Sequence, residues 1–271
     1  MEQKIKALKA LGLQRVLDIS HWNSVYDWGA VKDSGVWGVI LKAGGSDAGR
    51  YTDVKFEEYY SGAKEAGLHV GAYYFTGPEG KGAEAGRADA EHFMQIIAGK
   101  QFDLPVYCDF EAPDTSDKNA NTDYVLAFGD TMEAAGYFVG VYASDDSGFN
   151  ERLDLDRVKR FTIWAARWGH DLVYTKDLWD IWQTGSGAVP GIDGVVDLNV
   201  CRRNFPETIT GRFTGKGFNG YAGAEWYTIR PGDTLSAISR AFDTSVAELL
   251  ALNPKITNAD YILAGDTIRI K

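Results

Sequence analysis

Residues 69–111 decide the fold, and they read HVGAYYFTGPEGKGAEAGRADAEHFMQIIAGKQFDLPVYCDFE. The runs His69–Phe75 and Pro105–Glu111 are short and apolar, whereas residues 81–99 between them have the apolar spacing of an amphipathic helix. A strand, a helix and a second strand in this order predict a β/α unit with parallel strands.

The same alternation extends in both directions from this unit. Helical stretches at residues 51–67 and 122–135 separate apolar runs in the middle of the chain, and the last three runs are joined by segments too short for full helices. The six further runs are Arg15–Ser20, Val36–Ala43, Phe138–Ser144, Thr162–Trp168, Trp179–Gln183 and Val195–Val200. Strands that alternate with helices predict an α/β parallel sheet or barrel, and the short final connections predict irregular closure.

The alternation stops at Pro206. Residues 206–225 contain five glycines and no hydrophobic period, which predicts a linker after a first domain of residues 1–205. Residues 226–271 then form a second, small domain with a βααβ order. Its predicted elements are a strand at Trp226–Arg230, helices at Thr234–Phe242 and Ser245–Leu252, and a strand at Thr267–Ile270.

The charge of the chain excludes one class of partner. The formal net charge is −10, and residues 226–271 hold five basic and five acidic residues, so the whole excess lies before them. Because phosphate binding needs clustered Lys and Arg, an acidic chain without a basic stripe argues against nucleic acid.

The cysteines and the N-terminal residues bear on the compartment. Cys108 and Cys201 are the two cysteines of the chain, and their spacing predicts reduced, buried thiols rather than a disulfide framework. Residues 1–13 alternate Lys with apolar residues and show no signal-peptide pattern, and no run is long enough to span a membrane. We therefore expect synthesis in the cytoplasm and no stable membrane insertion.

Four acids at the ends of apolar runs are the candidate catalytic residues. Asp18 follows the first run, Asp109 and Glu111 end the fourth, and Asp197 lies in the last. In a parallel barrel the carboxyl ends of the strands form the face where catalytic groups gather. Residues two apart on a strand share a face, so Asp109 and Glu111 should project into one cleft, where like charges raise one pKa. A neutral acid beside an anion is the pair that glycoside hydrolysis requires.

An ordered set of motifs resembles the lysozymes of glycoside hydrolase family 25 over about residues 14–205. The motifs are Leu17-Asp18-Ile19-Ser20-His21-Trp22, Lys42-Ala43, Gly71-Ala72-Tyr73-Tyr74-Phe75, Asp109-Phe110-Glu111, Trp182-Gln183 and Asp197-Leu198-Asn199. The resemblance implies an irregular (β/α)5(β)3-type, TIM-like barrel that cleaves the β-1,4 bond between N-acetylmuramic acid and N-acetylglucosamine in bacterial peptidoglycan, without a cofactor.

The resemblance also implies roles for individual residues. Glu111 corresponds to the proton donor, and Asp18, Asp109 and Asp197 correspond to its acidic companions. Tyr73 and Trp182 are candidate walls of the sugar site. The attacking group stays open between water and the N-acetyl group of the substrate, with Asp109 or Asp197 steadying the latter.

The chain departs from the family pattern at one place. After Lys42-Ala43 many members continue with Thr or Ser, Glu and Gly, whereas Gly44-Gly45-Ser46 stands here. A sugar contact made by that acid elsewhere is therefore not carried over to this chain.

The C-terminal residues resemble a LysM module over essentially all of 226–271. The match lies in Tyr227-Thr228-Ile229-Arg230-Pro231-Gly232-Asp233-Thr234-Leu235-Ser236-Ala237-Ile238, Asn253-Pro254 and Leu263-Ala264-Gly265-Asp266-Thr267-Ile268. It implies a shallow groove for N-acetylglucosamine chains between two loops. The residues carried over to this groove are Gly232, Asp233, Thr234, Leu235, Pro254 and Ile256.

The histidines do not form a metal motif. His21, His69, His92 and His170 show no H-E-x-x-H or Cys/His ligand spacing, so a zinc amidase or peptidase is disfavoured and no metal is expected. The leading hypothesis is a phage endolysin that acts as a muramidase on the cell wall after release. The alternatives are a chitinase-like glycosidase and a non-catalytic wall-binding protein, and the oligomeric state is open.

Overall fold

The computed structural model describes residues 10–210, 226–229, 232–242, 244–253, 256–263 and 266–270. Eight strands of the first range close into a barrel in the order β1-β11-β9-β8-β7-β6-β5-β3, with β1 pairing back onto β3. Their bounds are β1 (Gln14–Ile19), β3 (Gly38–Gly45), β5 (His69–Phe75), β6 (Val106–Asp109), β7 (Val139–Ser144), β8 (Thr162–Ala166), β9 (Trp179–Gly187) and β11 (Val196–Cys201). The predicted irregular β/α barrel is confirmed.

The irregularity lies in the last strands. Neighbours from β1 through β9 run parallel, whereas β11 is antiparallel to both β9 and β1. Parallel strands need a long crossover, but antiparallel neighbours can be joined by a short connection. The short connection between β9 and β11 fits this antiparallel pairing, whereas the parallel strands β8 and β9 are joined by residues 167–178 without a helix. The minor strands are β2 (Ser24–Val25), β4 (Tyr51–Thr52) and β10 (Ile192–Asp193).

Helices cover the outside of the barrel. The described helices of this part are α1 (Trp28–Asp33), α2 (Phe56–Glu65), α3 (Gly82–Ile96), α4 (Lys118–Ala134), α5 (Leu155–Val158) and α6 (Phe205–Thr210), with a π-helical turn at Ser147–Arg152. α4 begins four residues before the predicted start because the Asp117 carboxylate accepts from Ala120 N at 2.9 Å and caps the helix. No described helix is long and apolar enough to cross a bilayer.

The predicted helix over residues 51–67 is too long at its start. Tyr51 and Thr52 form β4 and pair with Gly45 and Gly44 of β3. A Cβ at Gly44 would overlap the Tyr51 carbonyl oxygen, so glycine permits the close approach of these two strands. Aromatic and β-branched residues such as Tyr and Thr also favour strands over helices.

Strand residues alternate between two separate apolar clusters. The inner cluster fills the barrel and contains Tyr73, Tyr107, Tyr142 and Trp164, together with Val16, Ile40, Ile181 and Cys201. The larger outer cluster joins the other face of the strands to the helices and includes Cys108. On each strand, every second side chain therefore points into the barrel, and the side chains between them point toward the helices.

α6 belongs to the barrel. Its Phe205 and Ile209 are buried in the inner cluster, so helical structure continues five residues into the stretch that composition assigns to the linker. Residues 211–225, the rest of that predicted linker, lie outside the described residues.

The C-terminal part has the predicted βααβ order. β12 (Trp226–Thr228) pairs antiparallel with β13 (Thr267–Arg269), and between them lie α7 (Leu235–Ala241) and α8 (Val246–Leu252). Ser245 and Glu248 form a reciprocal capping box at the start of α8. The core consists of Ile229, Leu235, Ile238, Leu249, Ile268 and Ile270.

Candidate active site

The four predicted acids lie at one end of the barrel. Asp18 stands near the carboxyl end of β1, Asp109 is the last residue of β6, and Glu111 follows it by two positions. Asp197 lies near the start of β11, but because that strand is antiparallel its start meets the carboxyl ends of the others. Asp18 and Asp197 are direct Cα partners across the two strands.

Gln183 connects two of these carboxylates. Its Nε2 lies 3.2 and 3.3 Å from the two oxygens of Asp18 and 3.3 Å from Asp197 Oδ2. The Oε1 atom of the same amide accepts from Tyr142 Oη at 3.1 Å and from Trp168 Nε1 at 2.8 Å. Two donors on the oxygen fix which end of the amide faces the carboxylates, so Gln183 is held as a donor to both.

Asn199 orients Asp18 from the other side. Its Nδ2 donates to Asp18 Oδ2 at 2.7 Å, while its Oδ1 accepts from Trp164 Nε1 at 2.7 Å. Trp164 is buried in the barrel, and an indole N–H only donates, so it fixes the orientation of this amide as well. Asp18 therefore receives hydrogen bonds from two positioned amides.

Burial and like charge raise the pKa values of the buried acids. Burial is the largest cause of the rise in the pKa of Asp18 to about 7, and Asp197 and Glu111 add to it, while the amides of Asn199 and Gln183 oppose it. The pKa of Asp109 is raised well above its ordinary value by burial and then by Glu111, while Lys42 opposes the rise. Within the described residues Asp109 Oδ1 is buried and has no hydrogen-bond partner, which favours the neutral form.

Glu111 is the acid that opens to the solvent of the cleft. Its pKa is raised, first by loss of hydration and then by Asp197, while a hydrogen bond with Tyr142 and the charges of Arg152 and Lys42 oppose the rise. A carboxyl group with a raised pKa and access to solvent is suited to deliver a proton to a bound substrate.

The two predicted aromatic walls lie on different faces. Tyr73 belongs to the inner cluster, and burial, followed by the charges of Asp18 and Asp109, raises the pKa of its hydroxyl. Trp182 packs against the outer cluster, and its Nε1 donates to the Arg167 carbonyl at 3.1 Å. Because neighbouring strand residues point to opposite faces, an inward Gln183 requires an outward Trp182. The structure does not bring Trp182 to the carboxylates.

Lys42 and the glycine pair border the site at β3. The Lys42 side chain is buried, and its Nζ lies 4.4 Å from the centroid of the Phe75 ring. A Cβ at Gly45 would lie 2.8 Å from the Tyr51 hydroxyl and 3.1 Å from Asp47 Oδ1. The space above Gly45 is therefore filled by polar groups of the β3–β4 hairpin.

Several residues that surround the four acids were absent from the predicted site. They are Gln183, Asn199, Tyr142, Trp164, Trp168 and Lys42. Strand period alone would have placed Asn199 beside Asp197, since the two are separated by one residue. Gln183 lies in the Trp182-Gln183 motif, but a neutral amide carries no charge signature that would identify it as a bridge between two carboxylates.

The candidate residues of the C-terminal groove differ in exposure and in the contacts they make. Gly232 is exposed with φ +90°, Asp233 Oδ2 accepts from Tyr227 Oη at 2.7 Å, and Thr234 Oγ1 caps α7 by accepting from Ala237 N at 3.1 Å. Leu235 is buried in the core and Ile256 packs against it. Pro254 lies outside the described residues.

Two family models match the chain. The model of glycosyl hydrolases family 25 matches residues 17–192, which contain three of the four acids, and the model of the LysM domain matches residues 227–271. Asp197 lies five residues beyond the first match.

Curated relatives and solved structures agree with these matches. The autolytic lysozyme of Clostridium acetobutylicum is 31% identical over 188 residues, which cover 68% of this chain and 54% of that protein. Lysozyme M1 of Streptomyces globisporus is 26% identical over 217 residues, covering 73% of this chain and 70% of that protein. The crystal structure of the CTP1L endolysin is similar with a TM-score of 0.64 and 27% identity, over 73% of this chain and 70% of that one. This chain thus spans about half the length of the first of these relatives.

Proposed function

The chain belongs to glycosyl hydrolases family 25, and from that membership we propose that it is an N-acetylmuramidase, a lysozyme that hydrolyses the β-1,4 bond between N-acetylmuramic acid and N-acetylglucosamine in peptidoglycan. The observation that carries the proposal is the group of four carboxyl groups at one end of the barrel, with Glu111 open to the cleft and Asp18 and Asp197 joined by one amide.

Glu111 is the proton donor in this proposal. Tyr142 lies between Glu111 and Gln183: its hydrogen bond with Glu111 favours the carboxylate that remains after proton transfer, and its hydroxyl is also 3.1 Å from Gln183 Oε1. Gln183 Nε2 in turn donates to the carboxylates of Asp18 and Asp197. Glu111 gives its proton to the glycosidic oxygen as the bond to the anomeric carbon breaks.

The remaining acids act on the positive charge that develops on the sugar. Asp18 and Asp197 receive hydrogen bonds from the amides, which favour their anionic forms, and anions fixed near the anomeric carbon stabilise an oxocarbenium-like state. Asp109, buried and without a partner at Oδ1, is positioned to steady a polar group of the substrate. Tyr73 contributes a hydroxyl at the same place.

The C-terminal module holds the enzyme on its substrate. The LysM match supports binding of glycan chains by residues 227–271. A tethered catalytic domain meets nearby bonds at a high effective concentration, so weak sugar binding is sufficient. The similarity to endolysins supports action on the bacterial wall after release from the cell in which a phage multiplies.

A comparison of two polymers tests the proposal. The full chain is incubated separately with purified peptidoglycan and with chitin oligomers, and new reducing ends are counted. We expect reducing ends from peptidoglycan and few from chitin oligomers. Preference for chitin would support the chitinase-like alternative, and no reducing ends from either polymer would support a wall-binding protein without hydrolase activity.

A further inference from the structure

Trp168 lies in the loop between β8 and β9, and its position relative to the carboxylates is fixed. Its Nε1 donates to Gln183 Oε1 at 2.8 Å, and the other end of that amide contacts Asp18 and Asp197. The N–H bond lies in the plane of the indole, so the ring meets Gln183 with its edge. Gln183 itself is buried, so the indole edge contacts the amide from its accessible side.

The ring is nevertheless accessible. Trp168 is 51% exposed, although its polar atom is satisfied inside the protein. A ligand that covered this aromatic surface would gain free energy, because burying apolar area is favourable. The geometry therefore leaves an apolar face beside the point where a bond would be cleaved.

The loop that carries Trp168 is fastened on both sides. Arg167 N and Gly169 N donate to the carbonyls of Gln183 and Thr184 at 3.1 and 3.3 Å. The Arg167 guanidinium lies 3.0 Å from the Asp145 carboxylate, which is completely buried. The backbone next to Trp168 is thus held on β9, and its side chain is held on Gln183.

Asp145 fastens the far end of the same loop. Its carboxylate accepts from the backbone N of Val173 at 2.8 Å and from the N and Oγ1 of Thr175 at 2.9 and 2.7 Å. Burial alone would raise the pKa of Asp145, but these hydrogen bonds and Arg167 hold it below its ordinary value. The carboxylate therefore stays charged and bonded, and the loop is ordered before any ligand arrives.

We propose that Trp168 is a sugar-binding wall of the catalytic cleft, whose indole face stacks on an acetylated pyranose ring directly beside Asp18 and Asp197. A pyranose has an apolar face of C–H groups and a polar edge, and an aromatic ring with one polar handle matches both. Because the loop is ordered in advance, little conformational entropy is lost on binding. The inference rests on the proposed function, since it names the substrate ring that the site would hold.

The test measures binding separately from catalysis. Glu111→Gln is used as the background so that a tetrasaccharide of alternating N-acetylglucosamine and N-acetylmuramic acid stays intact, and its Kd is measured by calorimetry on the full chain. Trp168→Ala and Trp168→Leu remove the aromatic face, whereas Trp168→Phe keeps a smaller aromatic ring and loses the N–H. Trp37→Phe is the matched control, because Trp37 precedes β3 at the opposite end of the barrel and packs at a tilt against His69.

We expect Trp168→Ala and Trp168→Leu to raise the Kd at least about 10-fold and Trp168→Phe to raise it less than about 3-fold, as loss of a ring contact predicts. Trp37→Phe should leave it unchanged. In the chain with Glu111 intact, the Ala and Leu variants should raise KM more than they lower kcat. Melting temperatures within a few degrees of the unsubstituted chain show that the variants fold.

Two results would overturn the inference. An unchanged Kd in both Trp168→Ala and Trp168→Leu would mean that the ring does not touch sugar. Equal losses in Trp168→Phe and Trp168→Ala would mean that the N–H bond to Gln183 matters and the ring face does not. Absence of cleavage by the unsubstituted chain is a distinct result, since it would contradict the proposed function and with it this inference.

Discussion

At the scale of single residues, Glu111 is the group on which the chemistry depends. Glu111→Gln keeps the shape and the hydrogen bond to Tyr142 but removes the acidic proton. We expect the rate of peptidoglycan hydrolysis to fall at least about 100-fold, the usual scale for loss of a general acid. Binding to insoluble wall should be retained, because the variant leaves the C-terminal module unchanged. Near-normal lysis by a correctly folded variant would show that Glu111 is not the general acid.

The buried Asp109 carboxyl lowers the stability of the folded protein at neutral pH. Its pKa is raised in the folded protein by burial and by Glu111, whereas in the unfolded chain it is near the ordinary value of 3.8. The folded state then binds this proton more tightly, so the contribution of Asp109 to stability is most favourable at low pH. It declines as the pH rises above about 4 toward the raised folded pKa.

Asp109→Asn should remove the part of the pH dependence that Asp109 contributes. We expect the variant to be less active but more stable at pH 7, with a melting temperature higher by at least about 2 °C, and the difference should vanish near pH 4. Melting curves of both proteins across this pH range measure it. A variant that melts below the parent at pH 7 would show that the Asp109 carboxyl contributes net stability.

At the scale of elements, the β3–β4 hairpin depends on its two glycines. A Cβ at Gly44 would overlap the Tyr51 carbonyl oxygen and crowd Ile96 of α3, so Gly44→Ala must displace β4 or the helix. We expect a loss of about 1–3 kcal/mol in the free energy of unfolding, the usual cost of overpacking. Urea denaturation measures it.

Gly29→Ala is the matched control for this substitution. Gly29 lies in α1, where the nearest atom to an added Cβ is the Asp27 side chain at 3.2 Å. Alanine favours helix over glycine by up to about 1 kcal/mol, so the control should be neutral or stabilising. Equal changes in the free energy of unfolding for the two substitutions would show that the close approach of β3 and β4 does not require glycine at position 44.

Sequence patterns were sufficient to predict the barrel but not the bounds of every element. Apolar runs separated by helical periods predicted the barrel because burial on both faces of a parallel strand leaves a strong signal. The bounds were less predictable: Trp168 was placed in a strand, but β8 ends at Ala166 and Trp168 lies in the loop. α6 was missed because, within residues 205–209, the buried side chains are Phe205 and Ile209, too few for a visible period.

The acids could be predicted as a group because four charged residues at strand ends stand out against apolar runs. The partners that orient them could not. Whether Trp182 or Gln183 points inward depends on the pleat of β9, and the register of this strand shifts against both of its neighbours. Such irregularities have no signature in composition, and a slip of one residue exchanges the two faces.

At the scale of the whole molecule, we predict two separable parts. Residues 1–210 include α6, which completes the barrel core, and should fold and cleave soluble wall fragments. They should lose much of their activity on intact walls at low enzyme concentration, because the tether is gone. Turbidity assays on walls and reducing-end assays on fragments compare this truncation with the full chain. Equal activity of both on intact walls would contradict a tethering role.

Residues 226–271 alone should sediment with purified peptidoglycan, and salt should affect this little because the module is neutral by count. Variants of this module must separate a lost sugar contact from a lost helix cap or core contact. Thr234→Ala removes a helix cap, which costs about 1 kcal/mol, so Thr234→Ser serves as the control that keeps it. Leu235→Ala would test the core and not the groove. No retention on the wall would contradict the binding role of the module.

The measurement that tests the central claim most directly is the identity of the new chain ends after the full protein digests purified peptidoglycan. Reduction with borohydride followed by mass spectrometry distinguishes the sugars at the reducing ends. We predict reduced N-acetylmuramic acid at the new ends, absent after digestion with Glu111→Gln and without release of free peptide amines. New N-acetylglucosamine reducing ends, or peptide cleavage without new reducing ends, would contradict a muramidase centred on Glu111.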